Sequence, residues 1–213
     1  HMLTGDLGES ALLAKRGQLS EARLVVGSPI KVMLASPAAD EAVIQSKLGG
    51  SGAFWVEDKF DGIRAQLHVS EGEVSLFSRD QRSLGQEFPE IILAGVQLPD
   101  LVLDGEIIAY EEGRRLTFFD LQKRLGRKRR NRGQGNLFHV QETLVRFLAF
   151  DLLRLGGKDL WAHSLRERRA ALESVALKPP FSLVEVDRME GSEELEKAFK
   201  RSRARGNEGL IVK

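Results

Sequence analysis

The chain has 213 residues, and its formal net charge of +1 excludes a uniformly basic coat, so any nucleic-acid surface must be a local patch. The sequence has no cysteine, which excludes disulfides, thiolate metal sites and cysteine nucleophiles, and its four histidines are too scattered to indicate structural zinc. No apolar run reaches the roughly 20 residues of a membrane span, and we interpret His1-Met2 as a cloning remnant.

The first fifty residues are predicted to hold two helices and a linker. The apolar spacing in residues 4–26 indicates a helix followed by a linker, which ends at Gly27-Ser28-Pro29. Residues 32–34 suggest a short strand, and residues 40–48 a helix that is closed by the glycine-rich stretch 49–52.

The rest of the chain alternates between strand and helix patterns. The predicted strands are 54–58, 63–69, 73–78, 101–110, 145–153, 181–187 and 208–213. The predicted helices are 87–94, 118–125, 164–176 with Ser164 and Glu167 as a capping box, and one capped by Ser192. Because the chain ends inside an apolar strand, we expect it to be a piece of a longer protein.

Lys59 lies at the predicted end of a strand, directly before the turn signal Asp61-Gly62. This placement suggests a nucleophile in a cleft. A lysine amine attacks only when neutral, and its reference pKa of about 10.4 leaves a deficit of about 4.6 kcal/mol at pH 7. A site that uses it must lower that pKa by desolvation or by a nearby cation, such as a metal or Arg64. The residues alone leave open a solvated lysine among acidic neighbours.

Further polar groups interrupt apolar strands or form a basic block. Asp104 and Glu106 lie within a predicted Leu/Val/Ile strand, which indicates either a functional cleft or the wet face of an alternating strand. The basic block is a candidate contact for the phosphate backbone of DNA, or else a solvated helix end. The basic residues proposed for this contact are Lys123, Arg124, Arg127, Lys128, Arg129 and Arg130.

These stretches, taken in order, resemble the motifs of the covalent nucleotidyltransferase superfamily, and most closely those of the multi-domain ATP-dependent DNA ligases. The matching stretches are Lys59-Phe60-Asp61-Gly62-Ile63-Arg64, Ser78-Arg79, Leu103-Asp104-Gly105-Glu106, Phe150-Asp151 and Glu208-Gly209-Leu210-Ile211-Val212-Lys213. Residues 4–9, 122–128 and 165–169 also resemble those ligases. The resemblance implies an α+β fold with antiparallel sheets flanked by helices, that of an ATP-grasp-like nucleotidyltransferase (adenylation) domain.

The resemblance also implies the chemistry. Lys59 would attack the α-phosphorus of ATP and hold AMP as a phosphoramidate, which passes to the 5′-phosphate of a DNA nick before the nick is sealed. Asp61 would assist the sealing step. Glu57 would read the exocyclic amine of adenine, and Phe150 would stack on its ring.

Other residues would hold the sugar, the phosphates and a metal. Arg64 and Glu106 would hold the ribose, and Arg79 would contact the phosphate of the nick or of AMP. Glu106 and Glu208 would place Mg²⁺, which prefers hard oxygen ligands. Lys213 completes the residues assigned to the bound nucleotide.

The resemblance further implies the domain organisation and partners. Residues 1–26 would be the tail of a helical DNA-binding domain with its linker, and residues 27–213 an adenylation domain that stops before a later lysine motif and an OB-fold domain. We therefore expect a monomer that works on nicked duplex DNA in the cytoplasm, nucleoid or nucleus, and a chain that adenylates itself poorly without the missing parts. The alternatives are an RNA ligase, a GTP-dependent RNA-capping guanylyltransferase, or a non-catalytic DNA-binding module.

Overall fold

The computed structural model describes residues 7–48, 53–111, 114–130 and 143–213. The chain divides into two compact units that interleave in sequence. The large unit contains residues 1–32 and 62–183, and the small unit contains residues 33–61 and 184–213. The fold is α+β, with antiparallel sheets and helices, as predicted.

The helices of the described ranges lie close to the predicted ones. They are α1 (Leu7–Lys15), α2 (Glu41–Leu48), α3 (Pro89–Gly95), α4 (Phe118–Arg130), α5 (Leu165–Ser174) and α6 (Gly191–Ala204), with a 3₁₀ turn at Leu19–Glu21. The capping box at the start of α5 is confirmed, because Ser164 accepts from the Glu167 amide and the Glu167 carboxylate accepts from the Ser164 amide. Helix α4 continues to Arg130, beyond the predicted end at residue 125. The predicted cap at Ser192 is wrong, because the last helix already begins at Gly191 and its N-cap is Glu190.

The strands form one sheet in each unit. They are β1 (Phe54–Lys59), β2 (Ile63–Ser70), β3 (Glu73–Ser78), β4 (Leu101–Glu111), β5 (Arg114–Arg115), β6 (Leu144–Leu155), β7 (Lys158–Asp159), β8 (Phe181–Leu183), β9 (Asp187–Met189) and β10 (Gly209–Val212). The large unit has the order β3-β2-β4-β6-β7, with β5 beside β4 and β8 beside β6, and the small unit has the order β10-β1-β9. All described pairs are antiparallel except β6 with β8.

The two faces of the large sheet have different roles. Odd-numbered positions of β2 and β4, such as Leu67 and Leu103, are buried in the main core, to which Ile91 of α3, Leu121 of α4 and Leu172 of α5 also belong. Even-numbered positions of β2 and β4 therefore point to the opposite face, since side chains alternate along a strand.

The opposite face carries a strap, residues 24–30, at one end. Leu24 packs with Val102 and Leu153 in a separate apolar cluster. The backbone of the strap is held by side chains of β2: the Gly27 amide donates to Nδ1 of His68 at 3.1 Å, and Gln66 both donates to and accepts from the backbone of Ile30.

The small sheet places its even positions inward. Phe54 and Val56 of β1 pack with Met189 of β9 and with Leu195 and Ala198 of α6. Since side chains alternate along the strand, Glu57 and Lys59 lie on the other face of β1. This alternation leaves the predicted nucleophile outside the apolar cluster of the small unit.

Two strand predictions are wrong. Residues 32–34 form no strand. The single strand predicted over 181–187 is two short ones, because Phe181–Leu183 pairs with β6 in the large unit and Asp187–Met189 pairs with β1 in the small unit. An apolar run shows that a segment is buried, but it does not show in which core.

Candidate active site

The predicted site residues divide between the two units. The small unit holds Glu57, Lys59, Asp61, Glu208 and Lys213. The large unit holds Arg64, Arg79, Glu106, Phe150 and the basic helix α4.

Lys59 is the last residue of β1, and Glu208 contacts both its backbone and its amine. Its carbonyl accepts from the Glu208 amide at 2.9 Å, and its Nζ forms an ion pair with the Glu208 carboxylate. The two side chains are 45% and 43% exposed, so a ligand from solvent can reach the amine. The strand end therefore presents Lys59 on a fixed backbone with an accessible reactive atom.

Glu57 is two residues earlier on the same face of β1, and it is 5% exposed. Nζ of Lys213 lies 2.7 Å from its Oε1. Lys213 follows β10, and reciprocal backbone hydrogen bonds with Trp55 fix its position. A carboxylate this deeply buried requires a partner, because removing an unpaired charge from water costs several kcal/mol.

Arg64 is the most constrained predicted residue of the large unit. Its Nε and its terminal nitrogen donate to the two oxygens of Asp104 at 3.1 and 2.8 Å. Burial opposes the charge of the guanidinium, but the hydrogen bond and the negative charge of Asp104, with Glu106 and Asp151, outweigh burial and raise the pKa of Arg64. Asp104 is thus neither exposed on a wet face nor open to a ligand; it orients Arg64.

Phe150 lies beside this pair on β6. The guanidinium carbon of Arg64 is 5.3 Å from the centre of its ring, a cation–π distance. The Arg64–Asp104 pair therefore fixes a flat cation against the aromatic ring that was predicted to stack on adenine.

Arg168 of α5 is a positioning residue that the sequence reasoning missed. It donates to both oxygens of Asp151, each at 2.8 Å, and to the carbonyl of His163 at 2.7 Å. The hydrogen bonds that Arg168 donates to Asp151 are the main reason that the pKa of Arg168 is raised. The pair ties α5 to β6 at the residue that follows Phe150. The sequence signals for it are Asp151 in an apolar strand and the resemblance of residues 165–169 to the ligases, neither of which shows that the two residues meet.

Two glycines of the predicted motifs are required by close packing. A Cβ on Gly62 would lie 2.4 Å from the carbonyl oxygen of Ile107 and 2.9 Å from Cγ of Glu106. A Cβ on Gly105 would lie 2.4 Å from the ring of Phe147. Gly62 lets the backbone lie against β4, and Gly105 lets β4 lie against β6. Both contacts are next to predicted site residues.

The predicted DNA-contact residues have different environments. Lys123 and Arg79 have side chains that are 46% and 60% exposed. Arg124, in contrast, is buried, pairs with Glu90 of α3 at 2.5 Å and donates to the carbonyl of Thr143 at 3.0 Å. This correction follows from burial: Arg124 anchors α4 inside the large unit. The side chains of Arg127, Lys128, Arg129 and Arg130 lie outside the described part of the chain.

Comparison with known proteins identifies the family. The profile of the family described as "ATP dependent DNA ligase domain" matches residues 32–213. The chain belongs to this family. Two relatives of this ligase domain are the probable DNA ligases of Opitutus terrae, 35% identical, and Koribacter versatilis, 36% identical; each match covers 100% of this chain.

The relatives are longer than this ligase domain. It spans 26% of the Opitutus protein and 40% of the Koribacter protein. Among solved structures, "mycobacterial DNA ligase D complexed with ATP and MES" is 28% identical with a TM-score of 0.56, over 76% of this chain and 48% of that one. The ligase domain from M. tuberculosis LigD is 27% identical with the same TM-score and the same shares. The predicted nucleotidyltransferase fold is confirmed.

Proposed function

We propose that this chain is the adenylation core of an ATP-dependent DNA ligase. The observation that carries the proposal is Lys59: a solvent-accessible amine on a fixed strand end, ion-paired with Glu208, in a chain of the DNA ligase domain family. Its Nζ attacks the α-phosphorus of ATP, a P–N bond forms, and the bond to pyrophosphate breaks while the amine loses its proton. The Lys59–Glu208 pair has to separate before the attack, since the ammonium form has no free electron pair.

In this proposal the nucleotide is held by the residues that the family resemblance assigns to it. Glu57 accepts from the exocyclic amine of adenine, and Phe150 stacks on the ring with Arg64 already fixed beside it. Arg64 and Glu106 hold the ribose. Asp61 assists the sealing step after AMP has moved to the 5′-phosphate of the nick.

Mg²⁺ is the metal that the family resemblance implies. Within either unit, the described residues contain no group of three His, Asp or Glu side chains that could hold a metal alone. Mg²⁺ does not need such a group, because it commonly takes one or two protein carboxylates together with substrate phosphates. Glu106 and Glu208 would supply these carboxylates, and the bound ion would neutralise negative charge on the phosphates.

The DNA partner is a nicked duplex. The exposed cations Lys123 and Arg79 support contact with its phosphates, and we leave Arg124 out of this contact because it is buried. Arg127, Lys128, Arg129 and Arg130 keep their predicted role. Because its substrate is DNA, the whole protein works in the cytoplasm or nucleoid, or in the nucleus of a eukaryote. Among the described residues no helix is long and apolar enough to cross a membrane.

The proposal is tested by the nucleotide that the whole protein uses. Protein incubated with Mg²⁺ and α-labelled ATP or α-labelled GTP should become labelled from ATP, and unlabelled ATP should support sealing of a nicked duplex. Lys59→Ala should abolish both signals, whereas Lys197→Ala, an exposed lysine of α6, should leave them unchanged. Label from GTP alone would instead support a capping guanylyltransferase, and sealing of nicked RNA but not DNA would support an RNA ligase.

The stacking role of Phe150 has a separate test. Phe150→Ala should weaken ATP binding by about 1–3 kcal/mol, because an aromatic platform under a base is worth that much. Binding to nicked DNA should change less. Equal ATP affinities of mutant and wild type in calorimetric titration would contradict the assignment.

A further inference from the structure

The ion pair between Lys213 and Glu57 indicates a role for Lys213 other than direct contact with the nucleotide. The resemblance assigned Lys213 directly to the bound nucleotide. In the structure its Nζ lies 2.7 Å from Oε1 of Glu57, and the two side chains are 20% and 5% exposed. Lys213 is therefore placed on a carboxylate that is almost removed from water.

The backbone holds both partners of this pair in place. Glu57 faces Ile211 in the β1–β10 register, and Trp55 exchanges two backbone hydrogen bonds with Lys213, at 3.0 and 2.8 Å. Both Cα atoms are therefore fixed on neighbouring strands. Because both backbones are already ordered, only the two side chains have to be ordered when the pair forms.

We infer that Lys213 is a specificity-determining positioning residue, which acts on the purine base through Glu57. The ammonium holds one oxygen of a buried, ionised carboxylate and orients the group as a hydrogen-bond acceptor. Such an acceptor recognises the exocyclic amine of adenine, whereas guanine presents a carbonyl oxygen at the equivalent position and is rejected.

The inference rests on the proposed function, since it takes Glu57 as the reader of adenine. It predicts a particular pattern of losses. Without Lys213 the buried carboxylate has lost a charge partner and its fixed orientation, so contacts to the exocyclic amine weaken. Contacts to the phosphates and ribose do not depend on the pair and remain.

The experiment compares ATP with purine riboside triphosphate, which has the same ring and phosphates but no exocyclic amine. The rate of lysyl-nucleotide formation is measured with both in the whole protein, as wild type and as Lys213→Met. The variant should lose about 10- to 100-fold in kcat/KM with ATP, the range for a hydrogen bond to a charged group. With purine riboside triphosphate it should change by less than about 3-fold.

Two further variants complete the design. Lys213→Arg keeps the positive charge and should restore most of the preference for ATP over purine riboside triphosphate. Arg205→Met removes the ion pair with Asp58, the next residue of β1 and one on its other face, and should leave the preference unchanged.

The outcomes distinguish a failure of the proposed function from a failure of the inference about Lys213. A wild-type protein that forms no lysyl-nucleotide with ATP refutes the proposed function itself. If wild type reacts, an equal loss with both nucleotides in Lys213→Met overturns the inference, because it indicates a phosphate contact or a general structural defect. An unchanged rate with ATP also overturns it.

Discussion

Gly62, directly before β2, shows how a motif residue can be fixed by packing rather than by chemistry. Its missing side chain leaves room for the carbonyl oxygen of Ile107, to which a Cβ would approach within 2.4 Å. The sequence marks Asp61-Gly62 as a turn, but only the β2–β4 pairing reveals the close contact. The sequence predicts a turn at Gly62, but it does not show that the packing leaves no room for a side chain.

Gly62→Ala should destabilise the large unit by about 1–3 kcal/mol, because backbone atoms must move to admit the methyl group. The matched control is Gly85→Ala, whose Cβ would meet Cδ1 of Ile92 at an ordinary 3.5 Å. It should change stability by less than about 0.5 kcal/mol. Urea unfolding followed by circular dichroism measures both. Equal stabilities of the two variants would contradict the steric argument.

His68 gives the large unit a pH-dependent stability. Burial lowers its pKa from 6.5 to about 4, and its Nδ1 accepts from the Gly27 amide of the strap. Because the folded state resists protonation, its stability is complete above pH 6.5 and falls as the pH drops towards 4. The lowered pKa corresponds to about 3 kcal/mol at the acid end.

His68→Gln keeps a hydrogen-bond acceptor but cannot take up a proton. The free energy of unfolding of wild type should therefore fall more steeply between pH 6.5 and pH 4 than that of the variant. Urea titrations at pH 7.5, 5.5 and 4.5 measure the difference. Identical pH slopes for the two proteins would show that His68 is not the responsible group.

At the scale of elements, the basic residues from Lys123 to Arg130 were predicted to form one candidate DNA contact, but the structure gives Lys123 and Arg124 different environments. Charge and spacing alone cannot distinguish Arg124 from Lys123, which is its neighbour in sequence. Arg124 faces α3 and is buried over the ring of Phe88, whereas Lys123 is half exposed over the ring of Phe119. The difference depends on the packing of α4 against α3, a contact between segments about thirty residues apart.

Substitution by Met should affect stability at Arg124 and DNA binding at Lys123. Arg124→Met should cost about 2–4 kcal/mol of stability, because it leaves Glu90 and two backbone carbonyls without their donor. Lys123→Met should leave stability within about 0.5 kcal/mol. It should reduce the slope of log K for DNA binding against log salt by about 1. An Arg124→Met protein of wild-type stability that lost DNA binding would place Arg124 on the DNA.

At the scale of the whole molecule, the sequence predicted most elements but not how the chain is shared between two units. The strands and helices followed from apolar periodicity and caps, as at Ser164. The division did not, because the chain changes unit after Val32, Asp61 and Leu183, and the last two crossings fall next to strands that look alike in sequence. The strand-end position of Lys59 was predictable, because the strand and the turn are local features of the sequence. The ion pairs of Arg168 with Asp151 and of Glu57 with Lys213 were not predictable, because they depend on contacts between distant segments.

The most direct test of the central claim is the intact mass of the whole protein after incubation with ATP and Mg²⁺. The mass should increase by one adenylyl group, which peptide mapping should locate on Lys59. The group should be lost on acid treatment, as expected of a phosphoramidate, and it should be absent from Lys59→Ala. An unmodified mass for protein that binds ATP, or an adenylyl group that persists in Lys59→Ala, would contradict it.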